Sequence, residues 1–285
     1  MSLLPSLPLH AGLGLKPEHY RAALETGNDG LWFEVHPENY MVEGGPRLAW
    51  LEAIRDRHPL SFHGVGASLG GLDEFNKNHL TALRRLIERY QPAQVSEHAT
   101  FSANDGRYFA DLLPLPRTQE AQRHLTIRID AFQEAIGRRI LIENPTNYLH
   151  FSSEIDEPGF LVEVARVSGC GLLMDLNNVW VSAANTGIDP YAYIREIPSD
   201  LVGEIHIAGH SPDPVLGDRF LIDSHGEPVS GGVWHLLKHA LAHWGPRPVL
   251  IERDANIPTF EELLSERNRA ESFIDATRRH DHDAA

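Results

Sequence analysis

The sequence predicts an α/β protein built as a single (β/α)8 TIM barrel, and three observations support this fold. Eight short apolar runs follow one another along the 285 residues, each of a length that suits a buried strand. Longer stretches with apolar residues at three- and four-residue spacing separate these runs, as expected of amphipathic helices. Alternating strands and helices are typical of a parallel sheet, and a closed barrel of this kind takes about 250 residues.

The predicted elements come in a regular order along the chain. The strands are PLHAGLGL (8–15), LWFEV (31–35), PLSFHGV (59–65), AQVSEH (93–98), RILIEN (139–144), GLLMDLNN (171–178), VGEIHIAG (202–209) and PVLIERD (248–254). Helices are predicted over 74–90, 116–136, 232–244 and from about residue 259. An open doubly wound sheet is the alternative, but GLGL (12–15) lacks the third glycine of the phosphate-binding turn that usually begins such a fold.

One domain is predicted for the whole chain, residues 1–285. The barrel core covers about residues 8–256, and a C-terminal helix and tail follow at 257–285. No internal repeat, low-complexity tract or Gly/Ser-rich linker divides the sequence, so nothing in it indicates a second domain.

Composition excludes several classes of protein. Hydrophobic residues make up 42% of the chain and charged residues 23%, which excludes a mainly disordered protein. A net charge of −15 repels phosphate backbones, so we expect no nucleic-acid partner. The single cysteine, Cys170, makes neither an internal disulfide nor a thiolate metal cluster. No apolar run approaches the roughly 20 residues of a membrane helix, and no secretory pattern is found at the start, so we expect a cytoplasmic protein without a membrane partner.

Histidine and carboxylate side chains cluster at the predicted carboxyl ends of the strands, where barrel enzymes carry their functional residues. Side chains alternate between the two faces of a strand, so Ser61 and His63 share one face while Phe62 takes the other. The same parity places the strand-end histidines and carboxylates inside the barrel mouth and aims Glu97 outward or into a loop. The nine candidate metal ligands are His63, His98, Glu143, Asp175, His206, His210, Asp223, His225 and Glu252.

Four of these nine residues are carboxylates, and their mutual repulsion argues for bound cations. Two carboxylates about 5 Å apart repel by about 3 kcal/mol at an effective dielectric constant near 20. Nine nitrogen and oxygen donors exceed the roughly four to six that one ion uses. We therefore predict two or three metal ions, with Glu143 as the bridging ligand because its strand is central among the ligand strands. Donors without a thiolate suit Fe, Mn or Zn, and the residues alone do not choose among these metals.

Other functions would fit a mouth of this kind. A zinc- or manganese-dependent hydrolase or a sugar isomerase uses similar barrel mouths, although a sugar isomerase would need a pocket lysine that no predicted strand end supplies. The non-enzymatic alternative is a module that stores metal or binds a peptide without turnover.

The ordered motifs of the chain resemble one known family. The resemblance spans roughly residues 8–256 and is carried by EVHPENY, SFHGVGASLGG, VSEHATF, LIENPTNY, MDLNNVWVSAAN, EIHIAGH, DSHG and LIERD. This set resembles the multinuclear non-heme iron-dependent oxidative enzymes, a family that includes the oxidase of methanobactin biosynthesis.

The resemblance implies a TIM barrel that holds two or three iron ions of mixed valence at the same nine positions, and it adds Asn178 as a ligand of a third iron. It also implies an O2-dependent oxidation of a cysteine, or else an aspartate or asparagine, in a ribosomally synthesised precursor peptide. A separate partner protein that binds the leader segment of that peptide is implied as well. We expect Asn39, Ser68 and Asn177 to contact the substrate.

Overall fold

Eight parallel strands close into a barrel in the computed structural model, which describes residues 7–27, 30–150 and 153–284, and side chains as far as residue 279. The predicted (β/α)8 fold is therefore confirmed. The barrel strands are β1 (Ala11–Gly14), β2 (Phe33–Val35), β3 (Leu60–Gly64), β4 (Gln94–His98), β7 (Leu141–Glu143), β8 (Gly171–Asp175), β9 (Val202–Ile207) and β12 (Val249–Ile251). Each pairs with its neighbours in chain order, and β1 closes the barrel by pairing with β12.

Helices connect the strands around the outside of the barrel. They are α1 (Tyr20–Glu25), α2 (Pro46–Arg55), α3 (Lys77–Tyr90), α4 (Gln119–Ile136), α5 (Glu157–Ser168), α6 (Leu176–Thr186), α7 (Pro190–Glu196), α8 (Gly231–Trp244) and α9 (Phe260–Ala284). The helix predicted from residue 74 begins three residues later because the Asn76 side chain caps it, accepting hydrogen bonds from the first turn. Within the described ranges, no helix is long and apolar enough to cross a membrane.

Two antiparallel hairpins lie outside the predicted elements, and both extend from the carboxyl ends of barrel strands. The first consists of β5 (Thr100–Asn104) and β6 (Arg107–Pro114), directly after β4. The second consists of β10 (Ser211–Asp213) and β11 (Gly217–Ile222), after β9. The first hairpin contributes side chains to the cavity at the barrel mouth, so it extends the functional end of the barrel.

The predicted parity of the strands is seen in the core. Phe62, Ile142 and Ile205, which parity predicts to point outward, are fully buried in the main apolar core. Inside the barrel, Trp32 and Leu250 belong to a second apolar cluster. Trp32 occupies the space where any side chain at position 12 would lie. A glycine at this position of β1 therefore permits Trp32 to pack inside the barrel. The polar residues are left for the opposite end of the barrel.

Candidate metal centre

The mouth of the barrel holds a cavity of about 370 Å³ whose wall is rich in histidine and carboxylate side chains. Strand register brings the residues together, because parallel neighbours end at the same level. His98 lies beside Glu143 in the β4–β7 pair, and Asp175 lies beside His206 in the β8–β9 pair. The residues predicted from strand ends therefore meet at one end of the barrel.

Glu143 stands between two histidines. Its Oε2 atom lies 3.0 Å from His63 Nε2 and 3.1 Å from His98 Nε2. Each ring is held from its other nitrogen: His98 Nδ1 donates to the Gly64 carbonyl at 3.0 Å, and His63 Nδ1 lies 2.8 Å from Ser96 Oγ. Glu143 is 1% exposed, and its Oε2 receives no well-aligned hydrogen bond. Buried donor atoms that converge without hydrogen-bond partners are the arrangement expected of metal ligands.

A second group consists of Asp175, His225 and Glu252, whose donor atoms lie close enough together to bind one ion. His225 Nε2 is 3.9 Å from Asp175 Oδ2, and His225 Nδ1 is 3.3 Å from Glu252 Oε2. Asp175 caps α6 by accepting the Asn178 N–H at 2.7 Å with Oδ1. Its Oδ2 is buried and has no hydrogen-bond partner, so the same carboxylate fixes the helix and leaves one oxygen for the mouth.

His206 connects the two groups. It joins His63 and Glu143 in one set of converging donor atoms. Its Nδ1 atom is 3.2 Å from Glu252 Oε2, which links it to the second group. The ring is completely buried. A shared histidine of this kind suits a centre with more than one ion.

Asn178 and Asp223 line the same cavity. Asn178 Oδ1 is buried without a hydrogen-bond partner, while its Nδ2 contacts Glu143 Oε1 at 3.3 Å. Asp223 Oδ1 is 2.7 Å from His225 Nε2, and Thr146 donates to Asp223 Oδ2 at 2.8 Å. The oxygen of Asn178 is therefore free to bind a metal, whereas Asp223 already accepts hydrogen bonds from the protein.

The structure does not bring His210 into any group of converging donors among the described residues. Its Nδ1 donates to Asn177 Oδ1 at 2.8 Å, and Asn177 in turn donates to Asp223 Oδ1 at 2.7 Å. His210 follows the end of β9 by three residues, so the strand pattern does not determine where its side chain points. Its place in the ligand set stays a prediction.

The charges at the mouth shift the pKa values of these groups in opposite directions. Burial opposes ionisation of Glu143, but His98 and His63 outweigh it and lower its pKa to about 2. Burial also opposes protonation of His63, yet Glu143 and Glu34 raise its pKa to about 10. Burial raises the pKa of Asp175 well above its usual range, and the neighbouring carboxylates add to the rise. Burial lowers the pKa of His98. Without metal, the pKa shifts thus favour protons on His63 and Asp175 and a neutral His98.

Sequence analysis missed four residues that the structure brings to these groups. Glu34 and Glu204 converge on His206, and His36 and Asp254 converge on Glu252. Glu204 shares the inward face of its strand with His206, and Glu34 is the middle residue of β2, so strand parity could have identified both.

A lysine lies near the barrel rim, although no strand end supplies it, as the sequence predicts. Lys16 follows the end of β1 by two residues, and its Nζ lies 2.6 Å from Asp254 Oδ1. It lines a smaller pocket of about 120 Å³, which shares His36 and Glu252 with the main cavity. Lys16 is therefore close to the mouth although no strand contains it.

The three predicted substrate contacts have different surroundings. Asn39 lines the smaller pocket, and Asn177 is buried behind the main cavity, hydrogen-bonded to His210. The Ser68 hydroxyl accepts hydrogen bonds from the backbone N–H groups of Ser102 and Ala103 at 3.0 and 3.1 Å. Ser68 thus holds the first hairpin and is not among the residues that line the cavity.

Glu97 behaves as expected for its outward parity. Its Oε1 accepts the Ala67 N–H at 3.2 Å, so the side chain reaches the loop that follows β3. It is 2% exposed and stays outside the groups of converging donors in the described chain.

A family model described as "RiPP precursor modification enzyme MbnB/TglH/ChrH" matches residues 10–275, where RiPP denotes a ribosomally synthesised and post-translationally modified peptide. A "UPF0276 protein" of Caulobacter vibrioides (strain NA1000 / CB15N) is 52% identical over 265 residues, which cover 93% of this chain and 94% of that protein. Another UPF0276 protein, from Bordetella bronchiseptica, is 49% identical over 272 residues, covering 95% and 94% of the two chains.

Solved structures share the fold at low sequence identity. A xylose isomerase domain protein from Alicyclobacillus acidocaldarius has a TM-score of 0.61 at 15% identity, covering 94% of this chain and 99% of that one. D-psicose 3-epimerase from Clostridium cellulolyticum H10 has a TM-score of 0.57 at 9% identity, covering 95% and 98%. At these identities the likeness concerns the barrel alone.

Proposed function

Since this chain belongs to the MbnB/TglH/ChrH family of RiPP precursor modification enzymes, we propose that it is a multinuclear non-heme iron enzyme. It uses O2 to oxidise a residue of a ribosomally synthesised precursor peptide. Cysteine is the residue we expect to be modified, with aspartate or asparagine as alternatives. The proposal goes beyond family membership in naming the metal, the oxidant and the residue.

One observation carries the proposal: buried donor atoms converge at the mouth, close to other ionisable groups but without well-aligned hydrogen bonds. They include Glu143 Oε2, Asp175 Oδ2, Asn178 Oδ1 and His225 Nε2. An unpaired buried polar atom costs about 1–3 kcal/mol, and more when it is charged. Bound cations would satisfy all of these atoms at once, so the residues present fit a metal centre.

Several features support more than one ion. Two separate groups of converging donors consist entirely of the predicted ligands: His63, Glu143 and His206 form one, and Asp175, His225 and Glu252 form the other. Oxygen and nitrogen donors without sulfur suit iron. We propose two or three iron ions of mixed valence, held by the nine predicted ligands with Asn178 at the third position and Glu143 as the bridge.

When bound, iron would supply redox chemistry with O2 that amino-acid side chains do not perform. The chain's own residues orient the reactants. Asn177 and Thr146 hold the Asp223 carboxylate from two sides, at 2.7 and 2.8 Å. Tyr148 stacks on Phe220 with ring centroids 5.8 Å apart, and its hydroxyl accepts the Asp223 N–H at 3.0 Å. These contacts keep the wall of the cavity in place.

The substrate and partners follow from the size of the cavity and from the family. A cavity of about 370 Å³ accommodates a side chain with its adjoining backbone, so we propose that a segment of the precursor peptide enters it. Tyr108 and Asp111 of the first hairpin line the entrance, where the peptide would pass. We also propose a separate protein that binds the leader segment, and a cytoplasmic location, since ribosomal precursors are made there.

Metal content and O2 uptake test this function together. Protein purified without oxygen should contain about two to three irons per chain and consume O2 when the peptide and partner encoded beside its gene are added. His98→Ala should lose iron and O2 uptake, because the His98 ring faces Glu143. His124→Ala is the matched control, since His124 bonds the Gly71 carbonyl and is not among the residues that line the cavity.

Two results would contradict the proposal. Iron-loaded, folded protein that consumes no O2 with any neighbouring peptide would exclude the oxidase. Zinc or manganese alone, retained after growth in iron-rich medium, would favour a hydrolase or a sugar isomerase, for which Lys16 at the rim would be the residue to test first.

A further inference from the structure

Two glutamates lie beneath His206, deeper in the barrel than the proposed ligands. Glu204 precedes His206 by two residues on β9 and shares its face, and Glu34 comes from β2. Their Oε1 atoms lie 3.4 and 3.3 Å from His206 Nε2. Glu204 is 0% exposed and Glu34 is 4% exposed. The proposed ligand set uses neither residue.

These buried carboxylates require a donor. Ser61 donates its hydroxyl to Glu34 Oε2 at 2.9 Å, but neither oxygen of Glu204 receives a well-aligned hydrogen bond from the described residues. Removing an ionised carboxylate from water costs several kcal/mol unless a partner compensates. His206 Nε2 lies 3.3 and 3.4 Å from the two glutamates, although it makes no well-aligned hydrogen bond in the metal-free protein. A proton on this nitrogen would supply the missing partner after a small rotation of the ring.

The position of this proton decides which nitrogen of His206 can bind a metal. A neutral imidazole with its proton on Nε2 keeps its lone pair on Nδ1. In the metal-free protein, His206 Nδ1 is hydrogen-bonded to Glu252 Oε2 at 3.2 Å, on the side of the mouth. A metal ion that binds Nδ1 would displace the proton between these two atoms and leave the ring proton on Nε2. His63 and His98 show the same arrangement with the nitrogens exchanged: their Nδ1 atoms are held, and their Nε2 atoms face Glu143.

We propose that Glu34 and Glu204 are positioning residues that hold the Nε2–H of His206 and thereby present its Nδ1 atom to a metal ion. Carboxylates behind a ligating histidine fix its tautomer and ring orientation and make it a stronger ligand. The proposal rests on the metal centre proposed above, but it concerns which nitrogen binds and what holds the ring.

The zinc-loaded protein gives a direct test, because zinc is diamagnetic and suits nuclear magnetic resonance. With ¹⁵N-labelled histidine, the signals of His206 are assigned by their loss in His206→Gln. We expect a protonated Nε2 and a zinc-bound Nδ1. A zinc-bound Nε2 with the proton on Nδ1 would overturn the proposal.

Variants provide the second measurement. The double variant Glu34→Gln, Glu204→Gln should weaken zinc binding by about 10- to 100-fold and disturb the tautomer of His206. The matched control is Glu157→Gln, since Glu157 is also buried but accepts hydrogen bonds from Tyr193 and Asn147 away from His206. Zinc affinity and tautomer that match the wild type in the folded double variant would contradict the proposal.

Folding and function are kept apart by two further comparisons. Circular dichroism establishes whether the double variant folds, and if it does not, the tautomer of the wild-type protein decides by itself. Absence of O2 uptake with a zinc-bound Nδ1 would remove the oxidase and leave the positioning role intact. Normal O2 uptake with a zinc-bound Nε2 would support the oxidase and overturn the positioning role of the two glutamates.

Discussion

Metal affinity should rise steeply with pH, because metal ions have to displace protons from the histidines at the mouth. Without metal, the carboxylates around His63 raise its pKa to about 10. A metal ion binds only the neutral imidazole, so protonation competes with binding. Glu143 does not compete, since its pKa of about 2 leaves it ionised throughout the neutral range.

The size of the effect follows from the pKa of His63. At pH 7.5, a group with a pKa of about 10 is neutral in roughly 0.3% of molecules. This proton alone weakens metal binding by about 300-fold, or about 3.4 kcal/mol. The affinity should therefore increase about tenfold per pH unit for each proton displaced, until the pH approaches 10. His206 and His225, whose pKa values the surrounding carboxylates also raise against burial, add to the slope.

Competition with a chelator of known pH dependence measures the slope, with zinc between about pH 6.5 and 8.5. The logarithm of the association constant should increase by at least about one per pH unit. In His63→Gln the slope should fall by about one, because one displaced proton is lost. His124→Gln, which changes a histidine outside the cavity lining, should keep the wild-type slope.

An affinity that does not depend on pH would refute this reasoning. It would mean that the metal ligands, histidines and carboxylates alike, hold no proton that the metal has to displace in this pH range. A wild-type slope in folded His63→Gln would show that His63 does not bind the metal.

Three further predictions concern the stability of the metal-free protein, and zinc serves as the control in two of them. The free energy of unfolding should decline as the pH rises from about 6.5 towards 10, because His63 loses a proton that the folded state stabilises. It should also decline as the pH falls from about 4.5 towards 2, because Glu143 gains a proton. Thermal melts across this pH range should show both declines, and added zinc should remove the alkaline one. Ser68→Ala should lower the free energy of unfolding in urea by about 1–3 kcal/mol, because the Ser68 hydroxyl accepts two hydrogen bonds from the first hairpin. The number of zinc ions bound should not change. Fewer bound zinc ions at unchanged stability would place Ser68 at the metal site instead. Gly12→Ala should lower the free energy of unfolding by about 1–3 kcal/mol, because Trp32 fills the space that the new methyl group requires. An unchanged melting temperature would show that the packing adjusts.

Part of the site could be predicted because it follows the period of a strand. His63, His98 and Glu143 end their strands or nearly so, and parallel strands that end at one level place such residues together. Strand periodicity does not reach His210, which lies beyond its strand, so the place of His210 in the ligand set stays a prediction. The hairpins were missed for a related reason: β6 is exposed over most of its eight residues and β10 has only three residues, so neither shows a buried apolar run.

By itself, the sequence determined the barrel, the inward parity of its polar residues and the family, because burial and alternation are properties of local sequence. Tertiary structure alone decided which atoms face each other. Glu34 and His206 are 172 positions apart, and only closure of the barrel brings them to 3.3 Å. The tautomer of a histidine depends on such contacts, so the nitrogen that faces the metal is a property of the folded barrel.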